Sequence, residues 1–426
     1  MELVSPLPFG LILCRVNGRQ VTVTGVSDDR LKIRLFQREK INTIDLHFLK
    51  FDTAGRVCVT PSSRRVLRYY ESRTGCEVLL AIADGDYKTQ VLSALMEYAR
   101  YIRLKEAGDD EQMADILTGC PAGGMTSESL SEQKRKWFSV PFAEVPWNGE
   151  LALSLDRQDT YGRFLCLTIS EFQKDFFARN RLGDFPLFRR SAKRVYIGNA
   201  YCAHLFPENL MELVSRAVLQ GLSVTVVLPP VREIRAAWRN EIIGEIEKSA
   251  ADEIAVNDMG TLYALRGTKK RLVLGTLLNR RRKDPRMKYK LGLAGREEML
   301  SENSLNDKEY ADALKETGIV RFEYESCGLP VKYAESRISL HLPFYQTNTS
   351  HGCILAANCE DTDPGLGRDE AACPRWCMDR ALLYPDDLGL TGRFNSLFGV
   401  DREILTDGAY LSRALDGVDR VVAELL

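Results

Sequence analysis

The chain is poor in histidine, balanced in charge and free of long apolar runs, and each shortage removes a class of function. Four histidines in 426 residues leave few partners for nucleophilic proteolysis by cysteine, which needs a base within hydrogen-bond reach. Basic residues number 58 against 59 acidic ones, and the net charge of −1 argues against a protein-wide nucleic-acid footprint while leaving local patches open. No run approaches the roughly 18 apolar residues that cross a bilayer. The opening MELVSPLPFGLILCRVNGR has an acidic second residue, no basic n-region and no small-residue cleavage site. It predicts no secretory signal and a cytoplasmic protein. No internal repeat recurs at a fixed period. What remains is a core-forming composition, 45% hydrophobic and 27% charged, in a length that suggests two or three domains.

Up to about residue 85 the pattern is that of β structure: GLILCRV, RQVTVTGV, RLKIRLF and TIDLHFLKF are short β-branched or alternating runs between polar turns. A small barrel or sandwich is the natural closure. VTGVSDDRLKIR resembles the small β-barrels that read a cyclic dinucleotide, but lacks the glycine of their Asp-x-Ser-x-x-Gly motif, and Arg64 and Arg68 follow it instead of preceding it. No ligand is carried over from that likeness. From Tyr87 to about Leu117, Val91, Leu95, Met96, Ala99 and Ile102 recur at helical spacing. TGCPAGGMTSESLSEQ (118–133) concentrates Gly, Ser, Thr and Pro and reads as a linker. SEFQKDFFARN predicts a helix within the mixed tract that follows.

At Arg194 the pattern changes. RVYIG, SVTVVLP, EIAVND, RLVLG, IVRFEYE and RISLHLPF alternate with helix-like segments such as PENLMELVSRAVLQG. Such alternation predicts a parallel sheet, and this many units predict a (β/α) barrel of the TIM type. The stretch is slightly short for a full barrel of ~250 residues, so a closed and an incomplete barrel are both open. The expected α/β architecture is thus a β-rich domain with a helical extension over residues 1–117, a connecting segment over 118–190 and a barrel-like domain over 191–426.

Against these shortages stand eleven cysteines, a poor disulfide framework for a reducing compartment. Cys14, Cys58, Cys76, Cys120 and Cys166 are scattered singly and read as small hydrophobes. Cys353, Cys359, Cys373 and Cys377 are clustered, the last two four residues apart and able to share one face of a helical turn. Thiolates suit zinc and iron–sulfur clusters. Structural zinc prefers paired knuckles, and only one close pair exists here, so the long acidic loop after Cys359 suits a cluster better, with zinc and no metal remaining as alternatives. Cys202, just past the strand RVYIG, sits where barrel domains place functional groups.

RVYIGNAYCAHLFP, EIAVNDMGTL, LLNRRRKDPR and CPRWCMDRALLYP together resemble the collagenase-like peptidase family (class U, family thirty-two), in particular its short members that support oxygen-independent ubiquinone hydroxylation. The likeness covers about residues 192–400. It implies a [4Fe–4S] cluster held by Cys202, Cys359, Cys373 and Cys377. Cys353 has no counterpart in that pattern and stands as a substitute ligand or a bystander; Cys327, also just past a strand, ranks lower. The resemblance further implies oxygen-independent hydroxylation, or a related modification, of a small aromatic ring or an RNA base. It also implies prephenate as hydroxyl donor and a partner subunit of the same family. A metal-braced adaptor or scaffold is the alternative, and a peptidase a weaker one, since a cluster ligand cannot also be a free nucleophile. His204, His341 and His351 are the histidines that remain for such a role.

Four further residues are candidates for substrate binding. Asn257 and Asp258 end the run EIAVND, where barrel side chains line a site or cap the next helix. Arg393 and Asn395 offer polar groups near the cysteine loop that suit a small carboxylate. The basic run LNRRRKDPRMKYK (278–290) suits an anionic partner or RNA phosphate, or is a solvated loop.

Overall fold

Local chemistry starts the N-terminal sheet. β1 (Ile12–Val16) turns into β2 (Arg19–Val26) through Asn17 and Gly18, both at positive φ (51° and 79°), the backbone of a tight hairpin whose twist matches its strands. With β3 (Arg30–Leu35), β4 (Ile44–Lys50), β5 (Gly55–Val59), β6 (Arg64–Ser72) and β7 (Gly75–Ile82) they form an antiparallel sheet in the order β5-β4-β1-β2-β3-β7-β6. Alternate residues of β7 (Cys76, Val78, Leu80, Ile82) are buried, as period-two strands with one wet face require. They join the helix Gly85–Ala107, through Tyr87 and Val91, in a core of their own. The computed structural model describes residues 3–4, 11–50, 55–72, 75–107, 127–283, 297–350, 352–353, 355, 373, 375–383 and 390–426.

The second core belongs to a closed barrel of eight parallel strands. Its strands are β8 (Glu150–Leu155), β9 (Arg194–Ile197), β10 (Ser223–Leu228), β11 (Glu253–Val256), β12 (Arg271–Leu274), β13 (Ile319–Glu325) and β14 (Ile338–Thr349), followed after an antiparallel excursion by β18 (Arg420–Glu424). The excursion comprises β15 (Leu382–Leu383), β16 (Leu390–Arg393) and β17 (Ser396–Val400), and pairs β17 with the far half of β14. β18 closes the ring between β8 and β14.

Of the two barrel expectations, closure is therefore the correct one. The six strands read from Arg194 onward are all present, and the other two come from ELALSL, inside the stretch read as a connector, and from RVVAE near residue 424. Each is an apolar run like the other six, and β8 is joined to β9 through the helices Gln158–Cys166 and Ile169–Arg179. The helix Ser127–Phe138 likewise occupies part of the linker-like composition. The predicted helix forms over Ile169–Arg179, started by a capping box in which the Thr168 and Glu171 side chains bond each other's backbone N–H. Leu210, Leu213, Val214 and Ala217 give the helix Leu210–Leu219 one buried stripe against the barrel.

Alternation along each strand sorts the barrel into two environments. Phe322, Leu340, Val421 and their neighbours face the helices. Ala152, Tyr196, Val227, Ala255, Val273 and Val422 fill the middle of the lumen as a separate apolar plug. No described helix is long and apolar enough to cross a membrane.

Candidate functional site

The C-terminal ends of the strands carry the site, beginning with the loop after β9. Gly198 has φ 121°, and a Cβ there would stand 2.3 Å from the Val227 carbonyl oxygen, so only glycine passes. The next residue, Asn199, is fully buried; its Oδ1 accepts from the N–H groups of Tyr201 and Cys202 at 2.8 Å each, and its Nδ2 donates to the Asp156 carbonyl. Together they hold Cys202, mostly buried, at the strand end.

Three other thiols come to the same place. Burial, followed by Cys353, Cys377 and Cys373, pushes the Cys202 thiol up to about 12. Burial, Cys353 and Cys373 do the same to Cys377, also to about 12, against the opposing pull of Arg393. Coulombic influence of this kind places Cys353, Cys373 and Cys377 within electrostatic reach of Cys202. Of the four expected ligands, Cys202, Cys373 and Cys377 are thus brought together, whereas Cys359 lies outside the described residues, as do Cys120 and His351. Cys353 joins the group, its thiol donating to the Phe394 carbonyl at 3.3 Å. Among the described residues no three His, Cys, Asp or Glu side chains are drawn tightly enough together to hold a metal ion.

The Cys373–Cys377 segment is not one continuous helical turn. Arg375 adopts φ 61° between the two thiols and precedes a 3₁₀ turn over Trp376–Met378. Phe394, beside the same group, has φ 56°. Left-handed non-glycine residues cost of order 1–3 kcal/mol each and gather where a site over-determines the backbone.

Soft donors need charge compensation, and the surroundings supply it. Arg393 is buried and donates from Nη2 to the Cys377 carbonyl at 3.2 Å, while its Nε has no partner among the described residues. Burial, then Arg157, lowers Arg393 to about 10, and burial raises Asp156 to about 6 despite Arg157 beside it. Thiols beside buried guanidinium groups are the donor chemistry an anionic iron–sulfur centre would use, and Cys202, Cys373 and Cys377 with Cys353 or Cys359 are the residues that could hold one.

Beside the thiols a cavity of about 630 Å³ opens over the barrel mouth, with Cys202 in its wall. Asn257, Asp258 and Asn395 line it, and Arg393 does not. Each of the three is already committed. Asn257 donates to the Leu228 carbonyl and accepts from Leu277 N–H, in space that a Cβ on Gly275 would fill. Asp258 caps the helix Met259–Ala264 through Thr261. Asn395 gives its two N–H donors to the Tyr201 and Ser350 carbonyls. They shape the cavity instead of presenting free groups to it.

Its charge comes from residues the sequence reading left in other roles. Arg232 and Arg235 follow β10, and Arg280, Arg281 and Lys283 follow β12, all on the wall. The last three belong to the basic run; Arg286, Lys288 and Lys290 lie outside the described residues. Lys283 pairs with buried Glu325 at the cavity floor, and Gln346 N–H also donates to that carboxylate. Arg235 donates to Nε2 of His204 at 3.1 Å, which places the imidazole proton on Nδ1. His341 is held between Glu424 (2.7 Å) and Glu323 (3.3 Å) in the lumen, and these carboxylates push it up to about 10 despite burial. A permanently charged imidazole is no base for a thiol. No known protein family, curated protein or solved structure matches the chain.

Proposed function

We propose that the chain is an iron–sulfur protein of the collagenase-like peptidase type, taking part in oxygen-independent hydroxylation or a related modification of an aromatic ring or an RNA base. One observation carries this reading: Cys202, in the wall of a cationic cavity at the strand ends, lies within electrostatic reach of Cys353, Cys373 and Cys377 from the far end of the barrel sequence. Bound there, a [4Fe–4S] cluster would supply electron transfer or a Lewis-acidic iron. The chain's own residues would do the rest. Arg232, Arg235 and Arg280 attract and orient a carboxylate-bearing donor of the prephenate kind. Gly198 and Asn199 keep Cys202 in place, and Arg157 and Arg393 balance the thiolates' charge.

The open cavity favours an enzyme over a braced adaptor, whose barrel mouth would be filled by side chains. A cytoplasmic protein working with a partner subunit of the same family accords with this reading. Anaerobic purification with absorption spectra and iron, sulfide and zinc analysis tests it. A brown protein with iron and sulfide is expected, bleached by alanine at Cys202, Cys373 or Cys377. A colourless protein with stoichiometric zinc, or none of these, would overturn it. Cys353→Ala and Cys359→Ala, compared side by side, assign the fourth ligand.

A further inference from the structure

The N-terminal sheet presents an exposed face built like a stacking platform. Inward residues Leu31, Ile33, Leu35, Val78 and Leu80 of β3 and β7 are buried in the domain core, so the intervening residues of both strands point outward. On β3 these are Arg30, Lys32 and Arg34. On β6 a bulge decides the matter. Val66 pairs with Leu80 but Arg68 pairs with Leu79, leaving Leu67 as the extra residue. Without it Arg65 and Arg68 would point to opposite faces; with it both point out, and so does Tyr70.

The registers place these side chains in three rows across the strands. Arg65, Ala81 and Arg30 form the first, Arg68, Leu79 and Lys32 the second, and Tyr70, Glu77 and Arg34 the third. Five cations therefore share the face with one carboxylate, Glu77, already engaged by Lys32 at 2.6 Å and Arg34 at 3.0 Å. Asp29, in the turn, reaches Arg30 only at 3.8 Å. Tyr70 is 40% exposed, with Arg68 at 4.9 Å and Lys32 at 5.5 Å from its ring centre. Leu67 and Phe36 are exposed to a similar degree, 40% and 42%. In a chain of net charge −1 this is a strong local segregation.

We infer that this face binds single-stranded nucleic acid. Guanidinium and ammonium groups on the open sheet take the phosphates, and the Tyr70 ring offers a flat partner to one base, as single-strand-binding sheets do. A duplex hides its base faces and would use the cations alone. An anionic lipid surface would likewise need the charge and not the ring. The inference does not rest on the thiols or on the activity proposed for the barrel.

The test is fluorescence anisotropy of the full chain with a labelled 12-nucleotide single-stranded RNA, an RNA duplex of the same length, and vesicles containing phosphatidylserine. Single-strand binding should weaken with salt, with a log–log slope of roughly −2 to −3.5, as expected for three to five neutralised phosphates. Tyr70→Ala should weaken it by about tenfold or more at unchanged slope, and Tyr70→Phe should retain it. Arg68→Ala should reduce the slope by about 0.7. Far-UV circular dichroism checks that the variants fold; the positions are exposed. Duplex or vesicle binding as tight as single-strand binding, or equal binding by Tyr70→Ala, would overturn the inference, as would no binding at low salt. Iron content is read on the same preparation. Colourless protein that binds RNA counts against the cluster and not against this surface.

Discussion

The two ends of the barrel are built from the same strands and have opposite characters. At the end where the strands begin, Arg420 is about 2% exposed and donates to Glu150, Glu253 and the Tyr196 hydroxyl at 2.7–3.0 Å. Arg194 joins Glu150 and Glu253, and Arg321 makes two bonds to Asp419. Each of these charges has an opposite one. At the other end stand buried thiols, two left-handed non-glycine residues, and arginines on an open cavity. The ion-paired end closes the barrel; the other end carries the cavity. Barrel enzymes divide their labour in this way because strand-end loops can vary without breaking the sheet.

Breaking the closed end should do the most damage. Arg420→Met takes from Glu253 and Glu150 the nearer of their two buried cations, leaving Arg194, and should cost about 3 kcal/mol in denaturant unfolding of the barrel. Adding Glu253→Gln should return part of that loss, and a single variant as stable as the parent would refute the division drawn above. Next in size is Gly198→Ala, which strikes the Val227 carbonyl at the open end. It should displace the Cys202 loop, costing ~1–3 kcal/mol and, if the proposed cluster is bound, most of its iron. Strand pairing, followed by far-UV circular dichroism, should persist.

The pH dependence sharpens the comparison, because the lumen holds groups displaced in opposite directions. Glu253 is lowered to about 2 by Arg420 and Arg194 against its burial. Its contribution is present above the ordinary glutamate range and is lost as pH falls from ~4.3 toward 2. His341 is raised to about 10 by Glu323 and Glu424. Its contribution is complete below ~6.5 and is lost as pH rises toward 10. The Glu253 and His341 contributions should therefore both be at full strength between about pH 5 and 6.5, the first declining on the acid side and the second on the alkaline side. In His341→Gln the alkaline decline should flatten while the acid one stays. The smallest effect on stability belongs to the cavity: Arg280→Gln should change it by no more than ~0.5 kcal/mol, yet weaken calorimetric binding of prephenate if the cavity takes the proposed donor.

How much of this was legible depends on the range of the interaction that decides it. Six of the eight barrel strands follow from apolar runs alternating with helical periodicity. β8 and β18 have similar runs, but they close the ring by pairing with each other across almost the whole barrel sequence, a partnership that local pattern does not show. The thiol pair Cys373 and Cys377 is conspicuous by spacing, and Cys202 by its strand-end position. Arg393 and Asn395 were picked for polarity, yet one lies outside the cavity and the other is spent on two carbonyls. A basic run gives no hint that Arg280, Arg281 and Lys283 line a cavity, because that depends on where β12 ends in the ring.

By itself the sequence determined the kinds of element and their order: an alternating β domain, a helix, then strands and helices in turn, with thiols near the strand ends. It did so because period-two and period-3.6 burial and turn chemistry act within a few residues. Only the tertiary structure decided that the barrel closes, that Cys353 stands beside Cys202, and that one extra residue in β6 turns Arg65 and Arg68 to the same face. Those outcomes rest on strand register and on contacts between distant segments, for which neighbouring residues carry no signal.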